Sequence, residues 1–128
     1  MASRPTHKID ASGKVLGRLA AEVSCLLRGK NAAGYSQQTD TGNQVVIFNA
    51  DKIRVTGRKL ENKMYYRHSG RIGNLKTVSL KDMAMANAFR LAVGGMLPHN
   101  RLRDKWLKRL KIYGGGVPAR PPRNSLKA

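Results

Sequence analysis

The sequence has 128 residues, enough for one domain with an ordinary hydrophobic core. Its hydrophobic content of 41% argues against wholesale disorder, but 25 Lys and Arg against 7 Asp and Glu give a formal net charge of +18. Because self-repulsion at that charge opposes compaction, a polyanionic partner is indicated, with nucleic acid ahead of an anionic membrane surface.

The first half of the chain predicts strands and one long helix. Apolar residues recur at spacings of three and four from Val15 onward, and Gly29 supplies a stop, which predicts a helix. The continuous apolar run within residues 44–50 is typical of a strand buried on both faces, as in a parallel sheet. Two shorter strands are expected at 7–11 and 53–56.

The second half predicts two further helices. A capping box that begins at Ser79 predicts the start of the first, and Gly94-Gly95 followed by Pro98 predicts its end. Asn100 is expected to cap the last helix, which would carry Leu102, Trp106 and Leu110 on one face.

A short closing strand is expected at 111–113, before a run of glycines. Strand, helix, strand and further helices predict an α/β domain with a mostly parallel sheet. We interpret residues 1–128 as a single domain, with a core over about 7–115 and a basic, Pro-rich tail over 116–128.

Basic side chains cluster in two tracts that are interleaved with apolar residues. The first tract comprises Lys52, Arg54, Arg58, Lys59, Lys63, Arg67 and Arg71. The second comprises Arg101, Arg103, Lys105, Lys108, Arg109 and Lys111. Cations carried on folded elements indicate a binding surface rather than a loose arm.

The segment 57–76 combines basic residues with glycines and two adjacent tyrosines, Tyr65 and Tyr66. Lys and Arg would neutralise phosphates, and the tyrosines could stack on unpaired bases, as RNA recognition often requires. The alternative is a solvated hairpin whose tyrosines complete the core. Because consecutive strand residues face opposite sides, we expect one tyrosine inward and one outward.

Little in the sequence supports catalysis or metal binding. His7, His68 and His99 match no ligand spacing, and the acids are spread along the chain. The lone Cys25 excludes an internal disulfide, and its place beside Leu26 predicts a small buried side chain rather than a reactive thiol. We therefore expect no metal, no cofactor, no small-molecule substrate and no enzymatic activity.

Three other classes of protein remain as alternatives. A nucleotide-dependent enzyme would need a phosphate loop, but Gly13 and Gly17 fit neither the dinucleotide nor the P-loop pattern and favour a tight turn. A membrane-active protein would need a long amphipathic helix, and no apolar run approaches the roughly 20 residues of a membrane span. A DNA-binding module would need a motif such as helix-turn-helix, which is not recognisable.

Four stretches resemble the uL13 family of large-subunit ribosomal proteins, in its bacterial or organellar form. They are IDASGKVLGRLA (9–20), DTGNQVVIFNADKIRVTGRK (40–59), KMYYRHSGRIGNLK (63–76) and GGMLPHNRLRDKWLKRLKIYGG (94–115). The chain departs from the family's pattern at Asn74, where glycine is usual, at Gly94, where Lys or Arg is common, and at 103–105, near a usual small residue.

The resemblance implies a three-layer α/β/α domain with a four-stranded, mostly parallel sheet, basic extensions and short tails. It also implies a structural constituent of the large ribosomal subunit that binds large-subunit (23S-type) rRNA early in assembly, beside neighbouring ribosomal proteins. The expected location is the cytoplasmic ribosome, with an organellar matrix as the alternative.

The residues predicted to bind rRNA combine the basic tracts with the two family blocks around the tyrosines and the Met-Leu-Pro sequence. They are Lys52, Arg54, Arg58, Lys59, Lys63, Tyr65, Tyr66, Arg67, His68, Ser69, Gly70, Arg71, Lys76, Met96, Leu97, Pro98, Arg101, Arg103, Lys105, Lys108 and Arg109.

Overall fold

A computed structural model describes residues 4–116. Its elements, in chain order, are β1 (Thr6–Asp10), α1 (Leu16–Arg28), β2 (Gln44–Phe48), a 3-10 turn (Ala50–Lys52), α2 (Lys59–Asn62), β3 (Met64–His68), β4 (Leu75–Ser79), α3 (Met85–Met96), α4 (Arg101–Arg109) and β5 (Leu110–Ile112). Nearly all of the predicted tail lies outside the described residues. The prediction of an α/β domain with a parallel sheet is confirmed.

The described residues form one sheet of three parallel strands, in the order β1-β2-β5, and a separate antiparallel hairpin of β3 and β4. The expected four-stranded sheet is therefore wrong for this part of the chain. Residues 53–56 contribute only a single bridge, between Arg54 and Val15. The amide of Leu16 donates to the carbonyl of Arg54, and the amide of Arg54 to that of Lys14, so this segment is tied to the start of α1.

Side chains of the sheet alternate between a core face and an outward face. Ile9, Ile47 and Ile112 are in register across the three strands and belong to the core. Val46, one residue away, is only half-buried and is in register with Lys8 and Lys111. The expectation that β2 is buried on both faces is thus wrong.

Helices α1, α3 and α4 share a single hydrophobic core with the core face of the sheet. Leu19, Val23 and Leu27 from α1 meet Phe89 of α3 and Trp106 of α4 in this core. Since the outward side chains of β1 and β2 are exposed or half-buried, the described residues form two layers. The implied three-layer arrangement is corrected accordingly.

Helix α1 begins and ends as predicted. Gly29 takes a left-handed conformation, with φ of 81°, and its amide donates to the carbonyl of Cys25, which ends the helix. Cys25 itself is exposed, so its predicted burial is wrong. Successive helical residues are about 100° apart, which places position 25 opposite the stripe formed by Leu19, Val23 and Leu27.

Helix α3 starts later and ends later than predicted. The hydroxyl of Ser79 donates to Asp82 over 2.9 Å, but this pair closes a turn, and the helix begins only at Met85. The helix continues through both glycines and stops at Met96, because Leu97 precedes Pro98 and is extended.

Helix α4 is capped as predicted, since the side chain of Asn100 accepts a hydrogen bond from the amide of Leu102 at 3.1 Å. Leu110 does not belong to its apolar face, because this residue is already the buried first position of β5. The predicted closing strand is confirmed.

Candidate nucleic-acid interface

The β3–β4 hairpin stands out from the core into solvent. Of residues 57–78, all but Tyr65 are exposed. Tyr65 is half-buried at the base, whereas the side chain of Tyr66 is 67% exposed, so the prediction of one inward and one outward tyrosine is confirmed. Burial raises the pKa of the Tyr65 phenol, which keeps its hydroxyl neutral and able to donate a hydrogen bond.

Two cations face each other across the hairpin. Arg67 is paired with Lys76 in the antiparallel register, and Tyr65 is paired with Val78 on the same face. Like charges that lie directly opposite on a sheet repel one another. Neither cation has an acid within salt-bridge distance in the described residues. An external anion bound between the two side chains would reduce this repulsion.

The tip of the hairpin is ordered by its own hydrogen bonds. Gly70 and Gly73 have φ values of 95° and 76°, which glycine adopts without strain. The amide of Gly70 donates to Nδ1 of His68 over 2.8 Å. The side-chain amide of Asn74 donates to the hydroxyl of Ser69. The exposed basic and aromatic side chains are thus presented on a defined loop.

We call the exposed cations of this region the hairpin surface: Arg58, Lys59, Lys63, Arg67, Arg71 and Lys76. A second set, the α4 surface, consists of the three exposed cations of the last helix: Arg101, Lys105 and Lys108. None of these nine side chains makes a salt bridge with a described residue.

The base of the hairpin, the start of α1 and the end of α3 enclose an open groove of about 730 Å³. Its lining includes Arg58, Lys59, Lys63 and Tyr65, which lie in or beside the family block around the tyrosines. It also includes Met96, from the block around the Met-Leu-Pro sequence. The structure therefore brings these two blocks together, although 30 or more residues separate them in the chain.

Two predicted contact residues are used inside the protein. Leu97 is 2% exposed and belongs to the core. The guanidinium of Arg109 donates to both carboxylate oxygens of Asp40 over 2.6 Å and to the carbonyl of Leu27 over 3.3 Å. These positions hold α4 in place and have little or no surface left for a partner.

Asp40 is the centre of a polar cluster that sequence reasoning missed. Besides Arg109, the indole of Trp106 donates to its carboxylate over 3.1 Å, and Arg4 lies 3.5 Å away. Hydrogen bonds from Arg109 are the main reason why the pKa of Asp40 lies below its ordinary value. The only signal in the sequence is that Asp40 is one of few acids in a basic chain.

Arg103 is half-buried and contacts Nδ1 of His99 over 2.8 Å. A Cβ added to Gly94 would lie 3.1 Å from Nη2 of Arg103. Gly94 and Arg103 are therefore neighbours in space.

The remaining predicted residues lie around the edges of these surfaces. Lys52 and Arg54 are exposed beside the turn that precedes α1, and Pro98 is half-buried after α3. Within residues 4–116, no three His, Cys, Asp or Glu side chains gather as a metal site would need. No helix in the same range is long and apolar enough to cross a membrane.

Comparisons with known proteins agree on one family. The family model described as "Ribosomal protein L13" matches residues 4–118. Large ribosomal subunit protein uL13 from Alkalilimnicola ehrlichii is 48% identical over 116 residues, which cover 88% of this chain and 82% of the relative. The protein of the same name from Carboxydothermus hydrogenoformans is 50% identical over 115 residues, covering 88% and 80%.

The relative from Treponema pallidum, also named large ribosomal subunit protein uL13, is 48% identical over 119 residues, covering 91% of this chain and 84% of its own. Each of these names is that of a ribosomal protein, and none is that of an enzyme.

Proposed function

The chain belongs to the ribosomal protein L13 family of the large ribosomal subunit, as its sequence blocks predicted, and from this we propose that it binds large-subunit rRNA as a structural constituent of that subunit. The observation that carries the proposal is that the cations of the hairpin surface and the α4 surface form no salt bridge with any acid in residues 4–116. We further propose that binding supports early subunit assembly, beside neighbouring ribosomal proteins.

The proposed mechanism is the neutralisation of phosphates on more than one RNA segment. Two basic surfaces on a single rigid core would hold two such segments close together, and they would reduce the repulsion that keeps those segments apart. Each Lys or Arg that contacts a phosphate releases counterions, so binding weakens steeply with salt. Because side chains cannot read the narrow major groove of A-form RNA, recognition is directed mainly by shape.

The hairpin supplies the aromatic part of this interface. Tyr66 is exposed on the face of β3 opposite Tyr65 and is in register with Thr77 of β4. An exposed ring that costs little to desolvate is suited to stacking on an unpaired base. The proposed contacts of this region are Tyr66, His68, Ser69 and Gly70, together with the hairpin surface.

The α4 surface supplies charge without aromatic groups. Arg101, Lys105 and Lys108 lie along the exposed side of a helix whose opposite side contains the buried Trp106. We propose that these cations contact phosphates, together with Lys52, Arg54 and the exposed part of Arg103. Arg109 and Leu97 would act through the core by holding this helix and the turn before it.

The proposal is tested by the sedimentation of the endogenous protein through sucrose gradients at moderate and at high salt. Co-migration with large subunits that survives high salt supports a structural constituent of the subunit. A protein that stays at the top of the gradient contradicts the proposal. Salt-dependent binding of the purified protein to transcribed large-subunit rRNA tests direct contact separately, with a DNA duplex of similar length as the control.

A further inference from the structure

We propose that the groove between α1, the hairpin base and α3 binds an unstacked nucleobase of the RNA, an inference that rests on the proposed function. The groove has a volume of about 730 Å³. Sites for small organic ligands span roughly 300 to 1,000 Å³, so a base with its ribose fits within it.

The floor and walls of the groove suit the faces of a base. Val15 and Leu16 come from the start of α1, Leu80 from the end of the hairpin, and Leu91 and Met96 from α3. Leu91 and Met96 are 52% and 43% exposed, so each offers apolar surface that a partner can cover. Covering them with the face of a planar aromatic base would remove that surface from water.

The edges of the groove offer the polar groups that a base would need. Asn62 and Thr56 line it and can donate and accept hydrogen bonds. Tyr65 lines it as well, with its half-buried ring, and the ammonium of Lys63 lies 5.7 Å from the centre of that ring. Aromatic rings of this kind stack on bases without preference for sequence.

Charge selects RNA over a protein as the occupant. Arg58, Lys59 and Lys63 stand on the rim, and no residue in the lining is acidic. A basic protein extension would be repelled by this rim, whereas a nucleotide brings its phosphate to the cations while its base enters the apolar floor. The two halves of a nucleotide therefore match the two parts of the groove.

Two glycines keep the groove open. Gly17 and Gly95 line it, and a Cβ added to either would meet no other atom within 4 Å. Larger side chains at these positions would project into empty space. Because both glycines lie within helices, their replacement by leucine also improves helix propensity.

The test is therefore to fill the groove without disturbing the fold. Gly17→Leu is compared with Ala21→Leu, which adds a large side chain to an exposed position of the same helix outside the groove. We expect Gly17→Leu to weaken binding to transcribed large-subunit rRNA by roughly tenfold, with an unchanged salt slope, because a stacked base is lost and no phosphate contact is removed. Ala21→Leu should bind as the wild type does.

Chemical probing of the bases in the same RNA supplies the second measurement. A base that the wild-type protein protects should become reactive in the Gly17→Leu complex, while protection of the backbone by the hairpin persists. Gly95→Leu fills the groove from the opposite wall and should expose the same base, which guards against a local fault in either variant.

The failures are distinguishable. Wild-type affinity and unchanged base protection in both filled variants would overturn the groove proposal and leave the proposed function intact. Unchanged RNA binding combined with poor incorporation into subunits would also overturn it, since a neighbouring protein would then be the occupant. A wild-type protein that fails to bind the RNA at all would contradict the proposed function itself.

Discussion

The two basic tracts look alike in sequence but serve the fold differently. The first tract, which we call the hairpin tract, is exposed along almost its whole length, and Ile72 at the tip of the hairpin is fully exposed. Most of the second tract, which we call the α4 tract, lies on a helix that contributes the buried Trp106 to the core, with 3% of that residue exposed. Arg109 of the same helix donates hydrogen bonds to Asp40. Positive charge in a sequence therefore does not distinguish an exposed cation, which can contact a partner, from one that forms hydrogen bonds within the fold.

The difference comes from what each segment can bury. Helix α4 has large apolar residues at helical spacing, so one side of the helix packs on the core. The cations of the helix are held in place by this packing. Within the hairpin only Tyr65 and Ser79 are half-buried, and none of its cations forms a salt bridge with a described acid. Substitutions of the core-facing residues of α4 should thus reduce stability, whereas substitutions of the exposed hairpin cations should reduce binding.

The largest effect is expected for Trp106→Ala. This change removes a buried indole and its hydrogen bond to Asp40, and large-to-small changes of this type cost about 3–5 kcal/mol in the free energy of unfolding. Denaturant unfolding measures the loss. The matched variant is Tyr66→Ala in the hairpin, which should unfold like the wild type. Equal losses in the two variants would remove the distinction between the tracts.

The next effect is expected for Arg109→Ala compared with Arg101→Ala, two arginines of the same helix. Arg109 makes hydrogen bonds to Asp40 and Leu27, so its removal leaves a mostly buried carboxylate without its main partner, at a cost of about 2–3 kcal/mol. Arg101 is exposed, and its removal should change the free energy of unfolding by less than about 0.5 kcal/mol. A reversed order would show that the Asp40 cluster does not stabilise the fold.

The hairpin half of the comparison is tested by the double variant Arg67→Ala with Arg71→Ala. If both side chains contact phosphates, the slope of log affinity against log salt should flatten by about 1.4 to 1.8. The control is Lys8→Ala with Lys30→Ala, which removes two exposed cations outside both surfaces. An unchanged slope in the hairpin variant, together with a normal melting curve, would remove these arginines from the interface.

Many of the elements that distinguish the hairpin from α4 could be predicted from the sequence, because the patterns that specify them are local. The spacing of apolar residues predicted α1, Gly29 predicted its end, and Asn100 predicted the start of α4. The alternation of a strand predicted the opposite orientations of Tyr65 and Tyr66. Each of these inferences depends on residues within a few positions of one another.

The features that escaped prediction depend on distant residues. Asp40 and Arg109 are 69 positions apart, and nothing near either residue indicates the other. The groove is lined from four separate segments, so its apolar residues read individually as ordinary core positions. Residues 53–56 have the composition of a strand, yet pairing with the start of α1 leaves them only one bridge.

The smallest expected effect is a dependence of the free energy of unfolding on pH. Because hydrogen bonds from Arg109 lower the pKa of Asp40 from 3.8, the stability that this carboxylate contributes is fully present above about pH 4 and is lost as the pH falls through the lowered value. The difference in the free energy of unfolding between the wild type and Asp40→Asn should therefore be constant near neutrality and shrink in acid. Unfolding curves between neutral pH and pH 2 measure it. Glu22→Gln, which removes an exposed carboxylate without a salt bridge to any described residue, should show no such convergence. If the difference from the wild type also shrank in acid for Glu22→Gln, the pH dependence would come from the net charge of the protein and not from the Asp40 cluster that holds α4.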